Sequence, residues 1–214
     1  MATDLIEIDV EQPYHGAIDR AVDLIVRGRI VGVPTDALYT LVADPLNLAA
    51  VGRVFAAKGR EDIRSLPLAV SDILMAEDLA RELNSRFYIL ARHFWPGPLT
   101  IIVPASAKVP LKVTGNTGRL AVRHSKSKVL NAIIDRIGHA LIATSANISG
   151  QPTISSGIEL FAAMDGRVDL VLDGGLCTGL GATTVDITEP DWCVIKTGAI
   201  SEKEIQEVLQ SAEL

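Results

Sequence analysis

The chain has 214 residues, 48% hydrophobic and 21% charged, which suits one self-supporting domain better than two. A formal charge of −6 argues against strong overall attraction to nucleic acid or an anionic membrane, while leaving room for a local basic patch. Cys177, Cys193 and four scattered histidines lack metal-site spacing, no apolar run is long enough to span a bilayer, and the acidic first residues are unlike a leader peptide; a soluble, cytoplasmic chain is expected.

Helices and strands alternate along the chain. Ile18, Ala21, Val22 and Ile25 mark one face of a first helix ending near Gly28, and Arg29 to Pro34 reads as a short strand. Leu48, Val51, Val54 and Phe55 predict a second helix running into Lys58. The charged stretch Glu61 to Arg64 precedes a strand at Leu66 to Val70. Ala76, Leu79, Ala80, Leu83, Phe87 and Leu90 keep helical phase and predict the longest helix, stopped by Trp95-Pro96-Gly97-Pro98. Leu99 to Val103 and Leu120 to Arg123 read as strands. Val129, Ile133, Ile134 and Ile137 give a helix closed by Gly138, followed by a strand at Ala140 to Thr144. A helix near Ile158 to Ala163, strands at Val168 to Leu172, Thr183 to Ile187 and Cys193 to Lys196, and a last helix opened by the capping box of Ser201 and Glu204 complete the order. There is no internal repeat or linker, so the pattern is a single α/β domain with a mixed sheet, core about 14–200 and terminal helix 201–212.

Some segments carry chemistry. Ala143 to Gly150 packs three hydroxyls, an amide and a glycine behind an apolar strand. Ser145, Asn147 and Ser149 read equally as an ordinary helix cap or turn, or as a phosphate cradle at a strand's carboxyl end. Lys58-Gly59-Arg60 ends a helix. Cations and a glycine there suit an ordinary C-terminus, and they also suit an anion clamp with a point charge beside a fork. Arg123 closes an apolar strand and needs an anionic partner, either an acid of the protein or a ligand. Thr35 and Tyr39 follow the first strand and reach the same carboxyl edge if the sheet is parallel there. Gly174, Gly175, Gly179 and Gly181 form a turn-rich connection or a lid. Trp95 to Pro98 reads as a rigid corner. No nucleophile triad is present.

Taken in order, Val33 to Tyr39, Lys58-Gly59-Arg60 with Leu66-Pro67, Trp95 to Thr100, Leu120 to Arg123, Thr144 to Gly150, Asp173-Gly174-Gly175 and Thr183 to Asp186 resemble the YrdC family of threonylcarbamoyl-AMP synthases. The family signature, Lys-x-Arg followed by Ser-x-Asn, is present as Lys58, Arg60, Ser145 and Asn147. The resemblance implies a twisted, open α/β sheet with an electropositive concave face, in a short form without an extra C-terminal domain. It implies a nucleotidyltransferase that joins L-threonine, bicarbonate and ATP into threonylcarbamoyl-adenylate and releases pyrophosphate. A transferase complex then carries the group to tRNA.

By the same resemblance, Lys58 and Arg60 are the catalytic cations. Lys58, Arg60, Ser145, Asn147 and Lys196 hold the phosphates, and Thr35, Tyr39 and Arg123 hold threonine. Mg²⁺ is expected with ATP through phosphate oxygens, with no protein ligand assigned. ATP, L-threonine and bicarbonate are the small-molecule partners, and tRNA and the transferase-complex proteins the macromolecular ones; no membrane is involved. Thr40, Ala182 and the Lys196-Thr197-Gly198 run depart from common family residues. They motivate a second expectation, a YrdC-like RNA- or nucleotide-binding paralogue without synthase activity. A third is an unrelated α/β enzyme acting on another phosphorylated ligand.

Overall fold

Alternating apolar and small residues along short strands, separated by capped helices, give a mixed sheet with helices on both faces. The computed structural model describes residues 2–60 and 64–211. The run at 61–63 and the last position of the expected terminal helix, 212, lie outside the described residues. In chain order the elements are β1 (Asp4–Glu7), α1 (His15–Val26), β2 (Val31–Val33), β3 (Thr40–Ala43), α2 (Leu48–Ala57), β4 (Leu68–Val70), α3 (Ile73–Leu79) and α4 (Ser85–Phe94). They continue with β5 (Leu99–Pro104), α5 (Leu111–Thr114), β6 (Arg119–His124), α6 (Lys128–Ile137), β7 (Leu141–Ser145) and α7 (Gly157–Met164). The last four are β8 (Leu170–Asp173), β9 (Thr183–Asp186), β10 (Cys193–Lys196) and α8 (Glu202–Ser211).

Among the described residues the strands form one ten-stranded sheet in the order β1-β8-β2-β3-β7-β4-β6-β5-β9-β10. β1/β8, β8/β2, β4/β6 and β5/β9 pair in parallel, and the other neighbours are antiparallel. The expected single α/β sheet is therefore observed, with two strands, β1 and β3, that the sequence reading did not anticipate.

The two faces differ in what they bury. Leu41, Leu68, Ile101, Val122, Ile142 and Val185 point to one side, into a core closed by α2, α4, α7 and α8. On the other side Val31, Val33, Val42, Leu141 and Leu170 pack beneath α1 and α6, through Ile18, Ala21, Ile25, Val129 and Ile133. The strand register carries that second face onward through Ala69, Arg123, Ala121, Thr100 and Thr184. Here the side chains are mostly small, and they line an open cavity.

The long helix expected over Ala76 to Leu90 is two helices. Its apolar phase continues across the break, but the backbone does not. Arg81 N donates to Pro104 O at 2.9 Å and Ala80 bridges Ala105, so the end of β5 takes the groups a helix would use. Asn84 then restarts the chain by accepting from Phe87 N at 3.2 Å, an N-cap.

Candidate active site

The cavity has a volume of about 530 Å³, the size of a pocket for one or two small molecules. Of the expected site residues, Thr35, Tyr39, Arg60, Arg123, Ser145 and Lys196 line it. Lys58 and Asn147 sit beside it and are buried, 3% and 8% exposed.

Lys58 follows α2, whose start is fixed by Asn47 accepting from Ala49 N and Ala50 N. Its Nζ donates to Ser145 O, to Asn147 O at 2.9 Å and to Asn147 Oδ1 at 3.3 Å. In return Lys58 O accepts from Ser149 N at 2.8 Å. The ammonium thus ties the turn after β7 to the end of α2. Burial, with a smaller push from Arg60, lowers its pKa from 10.5 to about 8. Ser145 Oγ donates to Asn147 Oδ1 at 2.6 Å, and Asn147 Nδ2 donates to Gln151 O at 2.7 Å. For Ser145 to donate to a phosphate oxygen its hydroxyl must rotate; Lys58 would still hold Asn147.

Arg60 donates through Nη2 to Ser65 O at 3.2 Å, and its buried Nε has no partner among the described residues. Burial and then Arg64 work against its charge, yet a guanidinium stays protonated. No carboxylate pairs with Arg60, Arg64 or Lys196 among the described residues. A β-bulge between Val194 and Lys196 turns both Ile195 and Lys196 toward the cavity, where strict alternation would turn only one.

The loop joining β2 to β3 forms another wall. Because β3 runs antiparallel to β2, that loop folds back along the carboxyl edge of β2, where β7 and β8 also end. Thr35 Oγ1 donates to Leu38 O at 2.6 Å and accepts from Ala37 N and Leu38 N, shaping its own turn. Tyr39 is buried; its hydroxyl donates to Gly175 O at 2.9 Å and accepts from Gly174 N at 3.0 Å. That anchors the glycine-rich connection after β8, and burial pushes the phenol pKa up.

Arg123 does meet an acid of the protein. Nη2 donates to Asp36 Oδ1 at 2.7 Å and Nε to Gly97 O at 2.9 Å. Burial works against the Arg123 charge and Asp36 supports it. The corner before β5 aims this arginine: Trp95 Nε1 donates to Leu99 O at 2.7 Å and Gly97 N to His124 O at 2.8 Å. The sequence reading missed Asp36, Ser125 and Arg64 in this site. The available signal was the loop acid Asp36 matched against the buried arginine.

The family model described as Telomere recombination (Sua5, YciO, YrdC) matches residues 23–198. Threonylcarbamoyl-AMP synthase of Pyrococcus abyssi is 34% identical over 190 residues, 88% of this chain and 56% of that protein. The Bacillus subtilis protein of the same name is 30% identical, covering 90% and 56%. One from Xanthomonas campestris is 35% identical, covering 76% and 88%. The chain thus spans a little over half the length of the first two relatives. Among solved structures, P. abyssi Sua5 complexed with L-threonine superposes with a TM-score of 0.92 at 33% identity, over 97% of this chain and 61% of that one. Escherichia coli YciO gives 0.88 at 21% identity over 95% and 99%, a likeness of fold.

Proposed function

The chain belongs to the Sua5/YciO/YrdC family, and on that premise we propose that it makes L-threonylcarbamoyladenylate from L-threonine, bicarbonate and ATP, releasing pyrophosphate. The observation that carries this reading is one cavity lined both by cations without carboxylate partners among the described residues and by an arginine held on an acid. It suits a triphosphate beside an amino acid, and a relative of the same fold takes L-threonine.

In this reading the threonine nitrogen bonds to the carbon of bicarbonate with loss of water, giving a carbamate. A carbamate oxygen then attacks the α-phosphorus while the bond to the β-phosphate breaks. Several anions meet in that step, and fixed cations and oriented donors lower its barrier. Arg60 and Lys196 face the phosphates, Ser145 turns its hydroxyl to them, and Lys58 and Asn147 hold Ser145 in place. Arg123 takes the threonine carboxylate, with Thr35 and Tyr39 shaping the wall. The lining offers cations and hydroxyls, a donor set for phosphate oxygens; Mg²⁺ is expected on the triphosphate, shielding its charge. Delivery to a tRNA-modifying transferase in the cytoplasm belongs to the same proposal. No helix among the described residues is long and apolar enough to cross a membrane.

Purified protein given ATP, bicarbonate and L-threonine should release pyrophosphate, and release should stop when threonine is left out. Threonine-independent release, or none from folded protein, refutes the reading. Arg60→Ala should raise the KM for ATP by about 10- to 100-fold, the loss of one charge-assisted contact.

A further inference from the structure

The cavity holds four cationic side chains, Arg60, Arg64, Arg123 and Lys196, and they are not equivalent. Only Arg123 has a carboxylate partner among the described residues. Both members of that pair are largely buried, 15% exposed for Arg123 and 14% for Asp36.

The partner is also unusually well fixed. Asp36 Oδ1 accepts from Arg123 Nη2 at 2.7 Å, from the Ser125 hydroxyl and from Lys126 N at 3.2 Å. Its other oxygen, Oδ2, is buried and has no hydrogen-bond partner among the described residues. A carboxylate held by three donors on one oxygen cannot swing away from the guanidinium cheaply. Arg123 is fixed from a second side by Gly97 O, which leaves three of its five N–H groups without a protein acceptor among the described residues.

We propose that Asp36 is the positioning and specificity residue of this site: it holds Arg123 for an amino-acid carboxylate and cancels its charge toward phosphate. The inference rests on the functional reading above. A bare arginine beside Arg60, Arg64 and Lys196 would extend one continuous cationic surface, and a polyphosphate could slide along it. Paired with Asp36, Arg123 contributes directional N–H donors but little net charge. A zwitterionic α-amino acid, itself neutral overall, is then favoured over a polyanion. Asp36 touches neither the reacting phosphorus nor the carbamate; it acts through Arg123.

The test is calorimetric binding of L-threonine with and without saturating inorganic tripolyphosphate, on the wild type, Asp36→Asn and Asp36→Glu. Wild type should bind threonine equally well or better with tripolyphosphate present. Asp36→Asn should bind threonine about tenfold or more weakly, and tripolyphosphate should now compete with it. That gain of competition cannot come from a merely loosened fold. Asp36→Glu keeps the charge and should still exclude tripolyphosphate, with threonine affinity between the other two. If Asp36→Asn does not fold, Asp36→Glu decides alone: competition by tripolyphosphate in that variant overturns the proposal. Competition in the wild type, or wild-type behaviour in Asp36→Asn, overturns it as well. Wild-type protein that binds neither threonine nor tripolyphosphate refutes the functional reading itself, a distinct result.

Discussion

Replacing Lys58 with methionine should lower pyrophosphate release by about a hundredfold or more while leaving a folded, less stable protein. Methionine keeps most of the aliphatic stem, so the buried space stays filled. What disappears is an ammonium that bridges Ser145 O, Asn147 O and Asn147 Oδ1. Each buried acceptor left without a donor costs about 1–3 kcal/mol, and the turn after β7 loses its tie to α2. Ser145 keeps its place at the end of β7, but Asn147, which orients its hydroxyl, is no longer held.

The same ammonium predicts opposite pH slopes for stability and activity. Burial, then Arg60, lowers the Lys58 pKa from 10.5 to about 8. Between those values the unfolded chain binds more protons than the folded one, so this group makes stability rise with pH across that window. Activity should fall over the same window, because the neutral amine no longer holds Ser145 and Asn147 with its charge. Near pH 8, tripolyphosphate binding should draw a fraction of a proton from solution, seen as a heat that depends on the buffer's ionisation enthalpy. Lys58→Met should abolish that uptake. Wild-type kinetics in Lys58→Met would end the role given to Lys58.

Where the sequence was legible, local physics decided the outcome. The strand at Leu120 to Arg123 and the turn at Ser145 to Asn147 are where periodicity and composition put them, and Arg123 met an anion as a buried arginine must. That the anion is Asp36 depends on a contact 87 residues apart in sequence, which no local pattern encodes. The hydroxyls of Thr35 and Tyr39 looked available for substrate. The fold commits one to its own turn and the other to Gly174 and Gly175. Ala80 and Leu83 kept helical phase, yet the hydrogen bond from Arg81 N to the end of β5 outcompeted the helix. The hollow itself was written in the small residues Ala69, Ala121, Thr100 and Thr184, but only the register shows that they share one face. Lys196 reaches the cavity through a bulge, an irregularity that alternation cannot foresee.

Gly198→Ala should be among the most damaging single-methyl additions to this protein. A Cβ at Gly198 would lie 2.1 Å from Gly181 O, 2.6 Å from Ala182 C and 2.6 Å from Thr183 N. All three atoms are backbone, so no side chain can rotate out of the way. The contact is held shut from both sides: Ala199 N donates to Gly181 O at 2.9 Å, and the buried Thr183 hydroxyl donates to Ile200 O at 2.6 Å and accepts from Ile200 N at 3.0 Å. Opening it should cost about 2–4 kcal/mol, read as a lower denaturation midpoint. The cost reaches the chemistry because Gly181, Ala182, Thr184 and Lys196 line the cavity. A displacement of about 1 Å there moves Lys196 relative to Arg60 and should slow turnover by up to about a hundredfold. Gly52, on α2 with open space where a methyl would go, supplies the control. Gly52→Ala should raise stability by about 0.5–1 kcal/mol and leave turnover unchanged, since only the helical preference of alanine over glycine acts there. A Gly198→Ala protein as stable as the wild type would mean that the two loops part freely. Lys196 would then be carried on a movable segment rather than on a fixed wall.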